Sequence, residues 1–545
     1  MQNRQNSYNK ILSEVLNLLM TVMCISTGFI FEAFAEKRAI TTENKAKVIG
    51  HWNVVPHQTV SGEFQVGVVA FHMNGVARVA LSVAGNYREP FEVTDVRYNP
   101  RTGTYEYWAP LNKIVGDKTG NVEINASIYP KGDGVVRSLK SLNLVISKNG
   151  VPSKTIWVSS SGSDEKGNGS KSMPFRQPAQ ALQYYQKQYG DAGDLKIMMG
   201  SGEYTWGPRV FAAVQTSNQW VTIQGAPEVL KENIVFVDSK GSGFGVRLLH
   251  IKNMTIKGLF LSPGKKNSKL WIENSIVTGL GAESGKVPYY SSNWSEIFLT
   301  NSLIQKFRDG AVGATLVRNV QVKDIGSDAF SGSRLVINSE VDGIDRGAQN
   351  YHPDVFQIYC GGKEKENYIL YGVRAVNANA QGIFTGGCET LNNVAIVNVL
   401  IAKPFHKNPD KPYFSQWTTN GNHIIISGLS LLNSAFIWRA ESVQNAILRE
   451  SLLYSFATYP MKGKAKPSLK TNLIQDLHII KHKVSDILHS QNRITYGLVD
   501  SSNVRELQYH PLKKPILTYR VENPFSKIDV YGNLRGSPSS IGAVE

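Results

Sequence analysis

The chain has 545 residues, 41% of them hydrophobic and 19% charged, so it can bury a core and is not an intrinsically disordered protein. Lysine and arginine exceed aspartate and glutamate by 59 to 43, and the resulting net charge of +16 favours a polyanionic partner. With 48 glycines and 10% aromatic residues the composition favours a turn-rich β protein, and it excludes collagen, a coiled coil, a multi-span membrane protein and a disulfide-rich mini-protein.

The first 35 residues have the pattern of an export signal. Arg4 and Lys10 precede an apolar stretch over about residues 15–31, and an Ala-Phe-Ala sequence at 33–35 supplies a small-x-small cleavage pattern. An uncleaved membrane anchor is the alternative, although the stretch is short for a membrane span and contains Thr and Ser. We therefore predict a signal peptide over 1–35, a secreted, periplasmic or cell-surface protein, and no stable membrane insertion after cleavage.

A polar linker over residues 36–47 precedes a series of short strands in which apolar and polar residues alternate. About 100 residues with strands at this spacing are typical of a β-sandwich, which we predict over residues 48–149. The sandwich resembles the immunoglobulin-like modules of secreted bacterial proteins, without the cysteine pair of antibody domains. The clearest runs are Phe64–Ala70, Ala77–Val83, Tyr105–Trp108, Asn121–Tyr129 and Leu139–Ile146.

The rest of the chain begins with a strand at 155–158, a polar turn, and a helix predicted over about 177–189, where Leu182, Tyr185 and Tyr189 have helical spacing. Together with the closing residues 532–545, this opening resembles the two ends of proteins of the pectate-lyase-like β-helix superfamily. The resemblance implies that residues 154–545 form a right-handed parallel β-helix, capped by the helix and irregular in its last coils. The predicted fold class is all-β.

A sequence repeat supports the same fold independently. An asparagine ends the first strand of successive units at positions 253, 274, 301, 319 and 338, in steps of 21, 27, 18 and 19 residues. Asparagine suits such bends because it tolerates a left-handed backbone conformation. A period of roughly twenty residues is what stacked coils require, since one coil alone cannot bury its inner face.

Three aspartates follow the coil period. Asp309, Asp328 and Asp354 are separated by 19 and 26 residues, so stacking should bring their carboxyl groups to about 5 Å from each other. Carboxylates at that distance either share a proton or hold a cation. The same spacing predicts that Phe330, Phe356 and Phe384 form an aromatic stack inside the coils.

Residues 342–354 form a polar excursion beside these aspartates. His352, Arg346 and Tyr351 are the types that supply a base, a positive charge and an acid for chemistry on an anionic sugar. The alternative is that the aspartates cap turn amides and the histidine is merely solvated. Asp354 also has the parity of inward-facing Phe356, so it faces outward only if a turn intervenes. Further substrate-binding candidates are Gln357, Arg374, Gln381, Trp438 and Arg439, with core packing the alternative for Trp438.

Two cysteines, Cys360 and Cys388, remain after the signal. They lie 28 residues apart, each beside a pair of glycines, and without the neighbouring Cys or His residues of a usual zinc site. In an oxidising compartment they can form a disulfide between adjacent coils, and two buried thiols are the alternative.

The resemblance implies a secreted polysaccharide lyase that cleaves an acidic, uronate-containing polysaccharide by β-elimination. In that class, stacked aspartates often hold Ca²⁺, which points to Asp309, Asp328 and Asp354, while His352 or Arg346 would be the base and Tyr351 the acid. A glycoside hydrolase on the same fold is one alternative, although the Asp-Asp pair and Gly-His-Gly segment of the polygalacturonase group are missing. A non-enzymatic adhesin or carbohydrate-binding protein is the other. We expect a monomer with no nucleic-acid partner.

Overall fold

The structure is a computed structural model that describes residues 45–479 and 494–496, with interruptions. The predicted signal peptide, nearly all of the predicted linker and the closing segment 532–545 therefore lie outside the described residues. Within the described part no helix is long and apolar enough to cross a membrane. From residue 432 onward many positions are described by their backbone alone. The interruptions are 86–87, 148–153, 192–193, 206–217, 238–245, 259–266, 282–287, 290–294, 346–351, 361, 403–414, 441–442, 459–472 and 480–493.

Residues 49–146 form two packed sheets whose strands alternate between buried and exposed side chains. One sheet has the order β1-β3-β7-β6 and the other β2-β10-β8-β4-β5, with β9 paired to β8. Their facing sides share an apolar core that includes Val66, Val79, Ile124 and Leu144. A short helix, α1 (Leu111–Val115), follows β7. The strands are β1 Ile49–Trp52, β2 Thr59–Val60, β3 Gln65–Phe71, β4 Val76–Val83, β5 Phe91–Val93, β6 Arg97–Asn99, β7 Thr104–Pro110, β8 Gly120–Pro130, β9 Arg137–Ser138 and β10 Leu142–Ile146.

From residue 154 to residue 496 the described residues form a parallel β-helix, as predicted for this part of the chain. Each strand pairs with the equivalent strand one coil later, so the strands form three columns that run along the β-helix. The longer late strands contribute to more than one column. The first column contains β11 Lys154–Val158, β12 Leu195–Met199, β14 Val221–Gly225, β16 Leu248–Lys252, β18 Lys269–Glu273, β20 Glu296–Thr300, β23 Leu316–Arg318, β26 Leu335–Ile337, β29 Lys365–Ala378, β31 Leu391–Ala402, β33 Gly421–Trp438, β34 Val443–Thr458 and β35 Leu473–Ile479. The last described strand, β36 Ile494–Tyr496, pairs with the end of β35, which belongs to the second column.

The other two columns are built from shorter strands. The second column contains β13 Gly202–Tyr204, β15 Ile234–Val237, β17 Thr255–Lys257, β19 Ile276–Thr278, β21 Leu303–Gln305, β24 Gln321–Ile325 and β27 Glu340–Ile344. The third column contains β22 Ala311–Val312, β25 Phe330–Ser331, β28 Asp354–Tyr359, β30 Gln381–Gly386 and β32 Ser415–Trp417.

An aliphatic ladder fills the inside of the first column. Ile156 is in register with Ile197, which pairs with Ile223, and the same position continues through Ile251 and Ile272. All of these side chains are buried, so each coil adds apolar surface to one continuous core. The helix α2 (Pro178–Tyr189), within the predicted span, covers the first coils with a face that includes Ala181, Leu182 and Tyr185.

The repeated asparagines occupy the bend between the first and second columns. Asn253, Asn274, Asn301, Asn319 and Asn338 all have positive φ angles, between 46° and 55°. Asn274 Nδ2 donates a hydrogen bond of 2.8 Å to Asn253 Oδ1, and the pairs Asn319–Asn301 and Asn338–Asn319 repeat this contact. The asparagines therefore supply both the left-handed bend and a hydrogen-bonded ladder between coils.

The sandwich packs against the outer face of the first column. Ile49, Val55, Val69 and Phe71 of the sandwich share an apolar cluster with the outward side chains Trp271, Phe298, Leu316, Leu335, Ile369, Ala395 and Ile425. Polar contacts flank this cluster: Asn367 Nδ2 donates to Gly50 O at 2.9 Å, and Arg318 Nη1 donates to Asn53 O at 3.0 Å. This docking was not predicted from the sequence.

One predicted core residue faces the other way. Phe330 and Phe356 are in register and fully buried, as expected, but the next position in that row is Ile383 and not Phe384. Phe384 pairs instead with Gln357 and is half-buried on the outer side. A shift of one residue along a strand reverses the direction of the side chain, so the expectation of a three-ring internal stack was wrong.

Candidate functional site

The three predicted aspartates are adjacent at the turn before the third column. The backbone N–H of Asp328 donates to Oδ1 of Asp309 at 3.4 Å, and that of Asp354 donates to Oδ1 of Asp328 at 3.1 Å. The carboxylates of Asp309 and Asp328 thus each accept a hydrogen bond from the backbone amide of the aspartate one coil later. Arg308 forms an ion pair of 2.6 Å with the other oxygen of Asp309.

Burial makes this aspartate row electrostatically unusual. Asp309, Asp328 and Asp354 are only 7%, 8% and 0% exposed. Burial, with the carboxylates of Asp354 and Asp309 nearby, raises the pKa of Asp328 to about 8. Near neutral pH Asp328 therefore keeps its proton, which is how the row avoids three adjacent negative charges.

His352 is the accessible member of the cluster. Its side chain is 55% exposed, and Nδ1 lies 3.2 Å from Oδ2 of the fully buried Asp354. The hydrogen bond to Asp354 raises the pKa of His352 more than partial burial lowers it. Because a carboxylate only accepts, neutral His352 must carry its proton on Nδ1 in this contact, which leaves the lone pair on Nε2.

The outer side of the third column continues from His352 as a mixed polar and aromatic surface. We call it the third-column face and define it by His352, Gln357, Tyr359, Phe384 and Gln416. Gln357, Phe384 and Gln416 are successive partners in register, and the His352 ring meets Phe384 edge-on at 5.2 Å between centroids.

Two hydrogen bonds of Gln357 fix its orientation on this face. Its Nε2 donates to Asp354 Oδ2 at 3.0 Å and its Oε1 accepts from Ser331 Oγ at 3.0 Å. Tyr359 is 60% exposed, and its ring lies against Gly387, where an added Cβ would be 2.4 Å from Cε2 of the tyrosine. A glycine at 387 therefore allows the ring to lie flat over the neighbouring coil.

The remaining substrate-binding candidates are distributed differently. Arg439 is half-buried and follows inward-facing Trp438, so alternation directs it to the outer side of the third column. Trp438 itself is 2% exposed and stacks on Trp417 with ring centroids 5.7 Å apart, which corrects the idea of a sugar-binding face there and favours the packing alternative. Gln381 is buried in register with Asp354. Arg374 forms an ion pair with Glu340 on the adjacent coil.

Two predicted catalytic residues cannot be placed. Arg346 and Tyr351 lie outside the described residues, so their roles stay predictions. Tyr359 and Phe384 were not predicted as surface residues from the sequence. The sequence contained one indication of the outward direction of Phe384. Phe384 lies 28 residues after Phe356, whereas paired residues in these strands, such as Asp354 and Gln381, lie 27 residues apart.

The aspartate row does not fit a calcium site. Ca²⁺ takes six to eight oxygen ligands at about 2.3–2.6 Å, whereas here Arg308, His352 and the Gln357 amide approach the aspartate oxygens. Among the described residues, no group of three or more His, Cys, Asp or Glu side chains is placed to hold a metal ion. We therefore derive no step through Ca²⁺.

Cys360 and Cys388 are joined by a disulfide with a Cα–Cα distance of 4.6 Å. The bond links the ends of β28 and β30, which are neighbours in the third column. The disulfide therefore joins two successive coils directly beside Tyr359 of the third-column face.

Comparisons with known proteins leave the family open. No protein-family model matches the chain, and no curated protein matches it. A search of solved structures finds a similarity to a family 28 exopolygalacturonase of Yersinia enterocolitica, with 8% sequence identity and a TM-score of 0.28, over 83% of this chain and 98% of that chain. A likeness at this level carries no inference about activity.

Proposed function

We propose that this protein is an exported, monomeric polysaccharide lyase that cleaves an acidic polysaccharide by β-elimination at the third-column face. The observation that carries the proposal is the pair formed by half-exposed His352 and fully buried Asp354. A histidine oriented by a buried carboxylate, with its second nitrogen directed away from that contact, is suited to act as a general base.

The surroundings of His352 support a carbohydrate as substrate. Tyr359 and Phe384 offer aromatic surface, while Gln357 and Gln416 carry amide groups that can hydrogen-bond hydroxyl groups. Arg439, on the outer side of the same column, adds a fixed positive charge for a uronate carboxylate. An open face of this kind is suited to an extended chain that passes over several coils.

The reaction can be followed from the geometry of His352. Nε2 of neutral His352 takes the proton from C5 of a uronate unit, and the electron pair released forms the C4–C5 double bond as the bond from C4 to the bridging oxygen breaks. The leaving oxygen then takes up the proton that His352 now carries. Asp354 stabilises the imidazolium formed in between, and Gln357 holds Asp354 in place through its hydrogen bond.

Burial of the carboxylates argues against the hydrolase alternative. A glycosidase needs two carboxyl groups on either side of the scissile bond, separated by about 5–9.5 Å. Asp309, Asp328 and Asp354 are all at least nine-tenths buried and engaged with backbone amides of the adjacent coil or with neighbouring side chains. The group exposed to a polymer is the imidazole, which supports an elimination.

The test is incubation of the full-length protein with a panel of uronate polymers. A lyase produces new ultraviolet absorbance from unsaturated chain ends, in step with new reducing ends. Reducing ends without that absorbance would show a hydrolase. If no polymer gives either signal, the proposal of an enzyme is overturned and a non-enzymatic adhesin is favoured.

A further inference from the structure

A groove of about 390 Å³ lies where the sandwich meets the first coils of the β-helix. The sandwich contributes one wall through His57, Gln58 and Thr59, and the outer face of the first column forms the floor. This is a different column, and an earlier set of coils, from the third-column face. We call it the junction groove.

The floor of the junction groove is a regular array of polar side chains. Lys196, Thr222 and His250 are successive partners in one row, and Gln224, Lys252 and Glu273 are successive partners in the next. Along the same column the later outward residues are apolar and covered by the sandwich. Around Trp271 the outer face of the first column therefore changes from an apolar surface that the sandwich covers to a polar surface that lines the junction groove.

Hydrogen bonds hold the centre of this array in one arrangement. His250 stacks on Trp271 with ring centroids 3.8 Å apart and contacts Thr222 Oγ1 at 3.2 Å and Glu273 Oε2 at 3.1 Å. Glu273 also accepts from Lys252 Nζ at 2.9 Å. Burial alone would raise the pKa of Glu273, but His250 and Lys252 outweigh it and hold that pKa at about 2. The floor is thus preorganised and carries fixed charges.

His57 on the opposite wall is unusual in two respects. Its φ angle is +62°, a left-handed conformation that is uncommon outside glycine. Its side chain is buried, yet Nδ1 has no hydrogen-bond partner among the described residues. Buried ring nitrogens are nearly always satisfied, and left-handed residues cluster at binding sites. Both observations indicate a group that is held in place for a ligand.

We propose that the junction groove is a second saccharide-binding site, in which His57, Gln224 and Lys196 bind a uronate unit at a distance from the point of cleavage. The substrate class rests on the function proposed above, whereas the site itself rests on the groove. Hydrogen-bonding amides and an imidazole serve the hydroxyl groups, and Lys196 serves the carboxylate. The groove would hold a remote part of the same polymer.

Isothermal titration calorimetry with hexasaccharides of galacturonate, mannuronate or guluronate tests this, using the full chain with His352→Ala so that the probe is not consumed. We expect this parent to bind two hexasaccharides, one in the junction groove and one on the third-column face. His57→Gly, Gln224→Ala and Lys196→Ala should each weaken one site at least about tenfold, and Gln416→Ala should weaken the other. Glycine accepts the left-handed φ of +62°, so His57→Gly should keep the backbone conformation at this position.

Lys257→Ala is the matched control, since Lys257 is exposed on the second column of the same coils. It should bind both hexasaccharides like the parent. Two results would overturn the junction groove as a site. One is unchanged hexasaccharide binding in both Gln224→Ala and Lys196→Ala. The other is a parent protein in which Gln416→Ala alone abolishes all hexasaccharide binding. Turnover of polymers by the wild-type protein is measured separately, so failure of the lyase and failure of the groove are distinguishable.

Discussion

Nδ1 of His352 lies 3.2 Å from Oδ2 of Asp354, and the two residues differ sharply in exposure: the histidine side chain is 55% exposed and the carboxylate not at all. The pair therefore couples an accessible proton-transfer group to a buried charge that orients it. This contact is the centre of the proposed lyase, and the first two predictions test it.

Replacing either partner should strongly reduce turnover. We expect His352→Ala and Asp354→Asn each to lower kcat at least about a hundredfold, the size typical of losing a general base or its orienting charge. The rate of absorbance increase from unsaturated ends measures it. Asp324→Asn is a matched control, because Asp324 is exposed and its φ of 49° is one that asparagine accepts. Near-normal turnover in both site variants with an unchanged Tm would exclude His352 as the base.

The pH profile should identify the base. His352 acts only when neutral, and Asp354 raises its pKa above 6.5, so kcat/KM should rise with pH through that raised pKa and level off above it. Asp354→Asn removes the interaction that raises the pKa, so the rising limb should move to lower pH even as the plateau falls. An unmoved limb would assign the titration to another group.

Asp328 should make the protein less stable at alkaline pH. Its pKa is about 8 in the fold against an ordinary value of 3.8, so the folded state holds a proton that the unfolded state has released. The free energy of unfolding should therefore fall between pH 6.5 and 8.5, by about 1–2 kcal/mol. Calorimetric Tm values over this range measure it. Asp328→Asn, which cannot ionise, should flatten the dependence, and an equally steep fall in that variant would contradict it.

Acid should weaken the junction between the sandwich and the β-helix. Burial lowers the pKa of His51 to about 4 and that of His423 to about 3. Across the junction, His51 donates a ring N–H to the carbonyl oxygen of Asn367, and His423 donates one to that of Lys47. The unfolded state binds these protons near pH 6.5, so stability falls as pH decreases from 6.5 toward 4. The raised pKa of Asp328 has the opposite effect on stability, but it involves one proton only. Burial also lowers the pKa of His57, so three histidines favour a loss of stability in acid.

The Tm at pH 7 and pH 5 measures this effect, and we expect a fall of several degrees. His423→Asn is the informative variant, since asparagine tolerates the positive φ of 60° at this position and does not titrate. It should reduce the fall between the two pH values. An equal fall in wild type and variant would remove His423 from the explanation.

The sequence predicts local patterns of this fold better than it predicts packing between distant residues. The asparagine bends could be predicted because each residue must itself adopt a left-handed conformation, and the aspartate row because its spacing matches the coil period. The outward direction of Phe384 could not be predicted, because it depends on the exact number of residues between β28 and β30, which sets the register of the two strands. The junction groove was also missed, because contacts such as Gly50 with Asn367 join residues 317 apart in sequence.

The disulfide between Cys360 and Cys388 should stabilise the coil beside the third-column face. Closing a loop of 28 residues reduces the entropy of the unfolded chain, worth about 3–4 kcal/mol. Cys360→Ser with Cys388→Ser should therefore lower the Tm without shifting the pH profile of turnover, because neither sulfur contacts His352 or Asp354 in the described contacts. Thiol titration of the denatured, unreduced wild-type protein checks the bond directly. Two free thiols from this pair would contradict the disulfide and leave both cysteines as buried packing residues.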